Sequence, residues 1–468
     1  MRVAFLHYHY RPGGVTRVIE NTLPHLRNLH DIDAQIIEHP GLNYANPDDL
    51  TTDPATLTNE LQEQARKQFG APPDLWHIHN PTLGKHPSFP QVLSNLANSQ
   101  TPLLLHIHDF AEDCRPGNYQ LIRQNPHTEK LYPIGEHIHY ATLNQRDYQI
   151  LNNADIPSSQ LHLLPNPIVT KTQTTSSSTS PSKSPFHSKQ LHLYPVRATT
   201  RKNLGELALW AALADQDHHF ANSIGPTNPN QRASYQRWKQ LASELELPLT
   251  LGLCEAPQFP FPEVLANAAS CVTTSLAEGF GLSFLEPTLI RKPLWGRNIP
   301  DITKDFTQHG IDLSHLYTRI DIPLDFLDAA NLKLKLQSQL QALYDQYATP
   351  LPTKATETAW EALTLNGDTL DFGHLDQDDQ IQIIRQLHQD PKLRDHLPKL
   401  SEFTNLQAPH DDQAALIRTN YCPEQCADKL SQIYQKLLST RPETPTHLDP
   451  DKILSQFLHP ARFSYLLT

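Results

Sequence analysis

Short apolar runs of four to six residues recur along the first 168 residues, each ending on polar side chains: Val3 to Leu6, Leu75 to Ile78, Leu103 to Ile107, Ile138 to Leu143 and Leu161 to Leu164. Helical patterns separate these runs, a rhythm that predicts parallel βα units. Between the first two, Val15, Val18, Ile19, Leu23 and Leu26 follow a three-and-four spacing. That spacing predicts a helix with a buried stripe, starting directly after Gly13-Gly14. From Thr170 to Ser184 eleven of fifteen residues are Ser or Thr, a stretch too polar to build a core and read as a flexible insertion or linker. The rhythm resumes at Leu191 to Val196, with a helix around Leu204 to Leu213 and strand-like runs at Leu249 to Leu253 and Ser270 to Leu276. The last run leads into a glycine-containing turn and another helix.

Beyond about residue 330 the pattern turns mostly helical and acidic, at Leu332 to Tyr347, Asp378 to Gln389, Gln413 to Leu438 and Lys452 to Leu467. These segments either form a separate appendage or pack back across the α/β units; the pattern does not choose. The predicted organisation is therefore α/β, with one Rossmann-like domain over 1–168, a Ser/Thr-rich linker over 169–190, a second Rossmann-like domain over 191–330 and a helical region over 331–468.

Composition narrows the function classes. The 468 residues carry 38 basic and 50 acidic side chains, a net charge of -12 that speaks against a broad nucleic-acid surface. The same balance gives no general attraction to anionic lipid, leaving a local basic pocket or peripheral membrane contact open. Forty prolines against sixteen glycines make proline the usual punctuation, so the few glycines are informative. Five scattered cysteines, Cys114, Cys254, Cys271, Cys422 and Cys426, lack zinc-type pairing and read as reduced thiols in a cytoplasmic protein. No run of 18 apolar residues predicts a membrane span, and the opening Met1 to His7 reads as a first strand, too quickly polar for a signal peptide.

The most specific stretch runs from Ser275 to Pro287, SLAEGFGLSFLEP, on a predicted strand-turn-helix. Gly279 and Gly281 let backbone amides approach a ligand, and a helix N-terminus would direct positive potential at the same space. Glu278 and Glu286, eight apart, could then face a common cleft. The plain alternative is a helix start with carboxylates against its dipole. Glu278 to Glu286 resembles the E-x7-E signature of the retaining GT-B glycosyltransferases of family 4, matching E-G-F-G-L-x-x-L-E at every fixed position, Gly279 and Leu282 included. The resemblance implies two Rossmann-like domains facing across a cleft, with Glu278, Phe280 and Gly281 on the donor sugar and Glu286 on the ribose.

About eighty residues earlier, Arg197 and Lys202 have the spacing of an Arg and a Lys that the family directs at the donor diphosphate. Fixed cations there stabilise a leaving group that gains negative charge. The resemblance extends to Arg11-Pro12-Gly13-Gly14-Val15, similar to the family's glycine loop against the diphosphate, and to His106-Ile107-His108-Asp109, where His108 corresponds to a histidine near the reacting sugar. Leu163 to Ile168 is similar to the family's P-N-G segment, with Pro167 in place of glycine, and Ile299 to Ile302 to a later P-E-I segment. The similarity covers about residues 1–310. It implies an enzyme that moves a sugar from a nucleotide diphosphate-sugar to an acceptor hydroxyl of a sugar, a lipid-linked sugar or a small molecule, with retention and with neither metal nor cofactor. It also implies that a late helix returns to the first domain.

Two rival readings stand beside this one. A GT-B scaffold that binds a nucleotide sugar without turnover would keep the same residues. Four His-x-His pairs, His7/His9, His77/His79, His106/His108 and His137/His139, are each spaced for one strand face and suit a metal-dependent hydrolase. That second rival needs a closed eight-stranded barrel.

Overall fold

A computed structural model describes residues 1–11, 13–42, 53–123, 128–169, 186 and 189–468. The Ser/Thr-rich stretch Thr170 to Ser184 and Pro12 of the glycine loop lie outside the described residues. The chain forms two compact units. The first comprises Met1–Val169, Leu343–Pro350 and Arg418–His459; the second draws on residues 186 and 189–342, on Leu351–Ile417 and on Pro460–Thr468.

In the first unit six parallel strands lie in the order Asp33–Ile37, Arg2–Leu6, Leu75–His79, Leu103–Ile107, Ile138–Thr142 and Leu161–Leu163. The strands Leu75–His79, Leu103–Ile107 and Ile138–Thr142 are buried at every position, as near-continuous apolar runs between two helical layers should be. The edge strand Asp33–Ile37 escaped the sequence reading because its alternating pattern is only partly buried. The helix Gly14–His30 buries Val18, Ile19, Leu23 and Leu26. It meets the late helix Pro423–Leu438, whose Cys426, Ala427, Leu430, Ile433, Tyr434 and Leu437 recur at three-and-four spacing and join the same apolar cluster as Phe5, Leu75 and Leu104. Each fully buried leucine of this kind contributes about 1.5–3 kcal/mol.

This unit also buries a carboxyl. Burial pushes Glu112 up to about 7, while Tyr132 donates a hydrogen bond of 2.9 Å to its Oε1. A carboxyl raised in the fold adds stability that is fully present below its unfolded value and is lost as pH climbs through its folded value. Unfolding free energy is therefore expected to drop by about 3 kcal/mol between pH 4.5 and pH 7.5 on this account. Glu112→Gln, which still accepts from Tyr132, should remove that slope; denaturant titrations at the two pH values measure it.

In the second unit five parallel strands run Leu249–Leu251, His218–Ile224, Gln190–Arg197, Ser270–Thr273 and Leu294–Gly296. The sequence reading passed over His218–Ile224 because half of it is polar. Its Asn222 and Ser223 are nevertheless buried, bonding Ile224 O at 2.8 Å and Val196 O at 2.9 Å. Both sheets are open, unlike the closed barrel of the hydrolase reading.

The region after residue 330 is no single appendage. The helix Gln377–Gln389 packs on Leu204–Leu213, where a Cβ on Gly205 would stand 1.9 Å from Gln380 Oε1. Leu204–Leu213 is apolar almost all round because it is covered on both sides. The predicted helix Gln413 to Leu438 divides into Asp411–Tyr421 and Pro423–Leu438, and Lys452 to Leu467 reduces to Asp451–Phe457. Proline sets both limits: Pro423 opens a new helix and Pro460 follows the last one. Short strands at Asp321–Pro323, Thr369–Asp371 and Thr364–Leu365 add an antiparallel sheet that the helical pattern did not show.

Candidate active site

The order of the second sheet reverses between Gln190–Arg197 and Ser270–Thr273, so the loops leaving these two strands meet at the carboxyl edge. Ligands of open parallel sheets bind at such a switch point. The first loop carries the turn Thr200–Lys202, the second Ser275 to Gly281. They are tied together by Leu276 N–H donating to Arg201 O at 2.9 Å and by Thr274 Oγ1 donating to Lys202 O at 2.9 Å. Asn203 sits in the left-handed region at φ 48° and ends the turn, its amide held between Glu206 and Gln380.

Lys202 Nζ contacts Glu278 Oε1 directly, and Ser275 Oγ donates to the same oxygen at 2.7 Å. Tyr194 OH lies 2.5 Å from Ser275 Oγ, completing a chain from a buried tyrosine to the carboxylate. Glu278 is 9% exposed. Burial alone would raise it, yet the charges of Lys202 and Arg201, with the hydrogen bonds from Lys202 and Ser275, hold it below the usual carboxylate range. The result is a buried carboxylate that stays ionised beside two cations. Such a group accepts hydrogen bonds from hydroxyls, while the cations suit a phosphate chain.

The structure sets Lys202 against Glu278, two residues singled out by the family resemblance. Arg197 ends its strand exposed, with Nη1 on Thr227 Oγ1 at 3.3 Å. Phe280 is buried edge-on to Phe306 at 5.4 Å, and Gly281 adopts φ 91°, where a Cβ would come within 2.8 Å of Phe284. Glycine is required there. Gly279 and Leu282 are partly exposed on the same loop.

The helix expected directly after the turn is corrected by the structure. Gly281 is followed by a 3-10 turn, Leu282–Phe284, and a single helical turn, Glu286–Leu289, without an apolar stripe to extend it. No helix dipole of consequence points at the loop. Glu286 is exposed at the start of that short turn, and its charge reaches the buried Cys271 thiol of the neighbouring strand. Sequence reasoning missed Arg201, Ser275 and Tyr194; Ser275, three residues before Glu278 in the recognised stretch, was the legible signal.

In the first unit Gly13 caps the helix Gly14–His30 with extended backbone, φ -170°, and both glycines are exposed. His108 N–H donates to Asn80 Oδ1 at 2.7 Å, and its ring is buried with Nε2 2.9 Å from His79 Nδ1. His7/His9, His77/His79 and His106/His108 converge on one face of the sheet, whereas His139 pairs with His162 and His137 meets Ala97 O.

No family model matches the chain. It is 26% identical over 373 residues to a mannosylglucosyl-3-phosphoglycerate synthase of Petrotoga mobilis, covering 72% of each chain. Among solved structures it is similar to Anabaena HepE in complex with UDP-glucose, with a TM-score of 0.49, 12% identity and coverage of 94% of this chain and 100% of that one. It is also similar to WaaG, a glycosyltransferase involved in lipopolysaccharide biosynthesis, with a TM-score of 0.48, 11% identity and coverage of 93% and 99%. The chain has an α/β fold of two parallel, Rossmann-like sheets with helices from its C-terminal third added to each.

Proposed function

We propose that this protein is a GT-B glycosyltransferase that moves a sugar from a nucleotide diphosphate-sugar to an acceptor hydroxyl. The observation that carries the reading is the Lys202–Glu278 pair with Arg201 at the switch point of the second sheet, Glu278 opening the stretch that matches the family 4 signature. The curated relative is a synthase of a glycosylated phosphoglycerate, which agrees with transfer to a hydroxyl. Arg197, Lys202 and Arg201 receive the diphosphate, and their fixed charge stabilises it as the glycosidic bond breaks. Glu278 accepts a donor-sugar hydroxyl, Glu286 holds the ribose, and the amides around Phe280 and Gly281 bind the sugar. On this reading Gly13 and Gly14 bind the diphosphate, and His108 meets the sugar.

Retention of anomeric configuration belongs to the same proposal, as does transfer without a metal. The five free thiols fit a reducing cytoplasm, and among the described residues no helix is long and apolar enough to cross a membrane. The test is NMR of the product formed from a nucleotide sugar of known anomeric configuration, with chelator present. The same configuration in donor and product is expected; an inverted product would refute the assignment.

A further inference from the structure

Beside His108, the first sheet carries histidines to which sugar transfer gives no role. His77 and His79 lie on one strand, His106 and His108 on the next, with His79 in register with His106. Alternate strand residues share a face, so the rings stack: His77 to His79 at 4.3 Å between centroids, His77 to His106 at 5.3 Å and His106 to His108 at 4.3 Å. Ring nitrogens of His77, His79 and His106 all lie within 4.8 Å of one another. All three side chains are at most 2% exposed.

Three observations distinguish this from ordinary packing of aromatic rings. His77 Nε2 and His106 Nδ1 are 3.2 Å apart, while two nitrogens bound to one tetrahedral zinc at about 2.0–2.1 Å stand about 3.3 Å apart. Nε2 of His79 is buried with no hydrogen-bond partner, which is costly for a polar atom unless something is bound there. His77 Nδ1 lies 2.7 Å from Tyr434 OH; the tautomer that donates from Nδ1 to this hydroxyl leaves its Nε2 lone pair facing His106.

From this geometry we propose that His77, His79 and His106 form a site for one divalent transition-metal ion of the zinc class. Imidazole donors select zinc, cobalt, nickel or copper over magnesium and calcium. Three protein ligands leave a fourth position, beside which His108 stands with its Nε2 2.9 Å from His79 Nδ1. The proposal does not rest on the transfer reading, and the site holds its ion whether or not a nucleotide sugar is bound.

The test is a calorimetric titration of Zn2+ into tag-free, chelator-stripped protein. One equivalent with Kd below about 1 μM is expected in the wild type. His79→Gln and His106→Gln should each weaken it about a hundredfold or more, whereas His139→Gln, in the separate His139–His162 pair, should leave it unchanged. Zinc-edge X-ray absorption of the loaded wild type should show three imidazole ligands and no sulfur, a reading independent of how the variants fold. Absence of a tight equivalent, its survival in both variants, or a sulfur ligand would overturn the proposal.

Discussion

Lys202→Ala is expected to lower the rate of sugar transfer at saturating donor by about a hundredfold or more, the usual consequence of removing one preorganised group at developing charge. The loss should fall on turnover rather than on folding. The ammonium nevertheless also neutralises Glu278, which is largely buried, so a moderate fall in melting temperature is expected alongside. Adding Glu278→Gln separates the two effects: the double variant regains stability because no unpaired carboxylate stays buried, and it regains no activity. Steady-state kinetics and thermal melts of the two single variants and the double variant give the comparison. A Lys202→Ala protein that folds and transfers at the wild-type rate would remove the diphosphate from this site.

Arg297→Ala is expected to be the most destabilising single substitution in the second unit, by about 3–5 kcal/mol. The guanidinium is fully enclosed between two carboxylates, with Nη2 2.6 Å from Glu206 Oε2 and Nη1 2.7 Å from Asp371 Oδ2. Nη1 also donates to Thr318 O at 2.8 Å, and Tyr317 OH donates to Glu206 at 2.8 Å. Burial by itself would raise Asp371, but Arg297 and the Ile320 amide hold it far below the usual carboxylate range. Without the arginine two carboxylates share a dry space. One of them must take up a proton or the packing must open, and Gly373, whose added Cβ would lie 2.4 Å from Arg297 Nη2, shows how little room there is. Chemical denaturation of Arg297→Ala measures the loss. A change within about 0.5 kcal/mol, typical of surface substitutions, would show that this triad is not what holds Thr369–Asp371 to the second unit.

These two sites differ in how much of them a sequence can reveal. Glu278 was legible because it follows an apolar strand in a turn whose glycines mark close backbone approach, and Lys202 only through the family resemblance. Arg297, Glu206 and Asp371 were not, since the pairs are 91 and 74 residues apart and each residue alone looks like a surface charge. Tyr194 was hidden for the same reason: its bond to Ser275 spans 81 residues. The strands with continuous apolar runs were legible, whereas His218–Ile224 was masked by polar residues that find partners only once the sheet forms. The destination of Pro423–Leu438 was likewise unreadable from periodicity, which shows that a helix has a buried stripe and not which sheet covers it.

The central claim, a nucleoside diphosphate site built on Arg197, Arg201, Lys202 and Glu278, is tested most directly by calorimetric titration of the chain with UDP, GDP, ADP, CDP and TDP in the presence of chelator. The account predicts one site per chain for at least one of the five, with affinity weakened in Lys202→Ala and insensitive to added magnesium. Binding of none of the five, or binding undiminished in a folded Lys202→Ala variant, would contradict it.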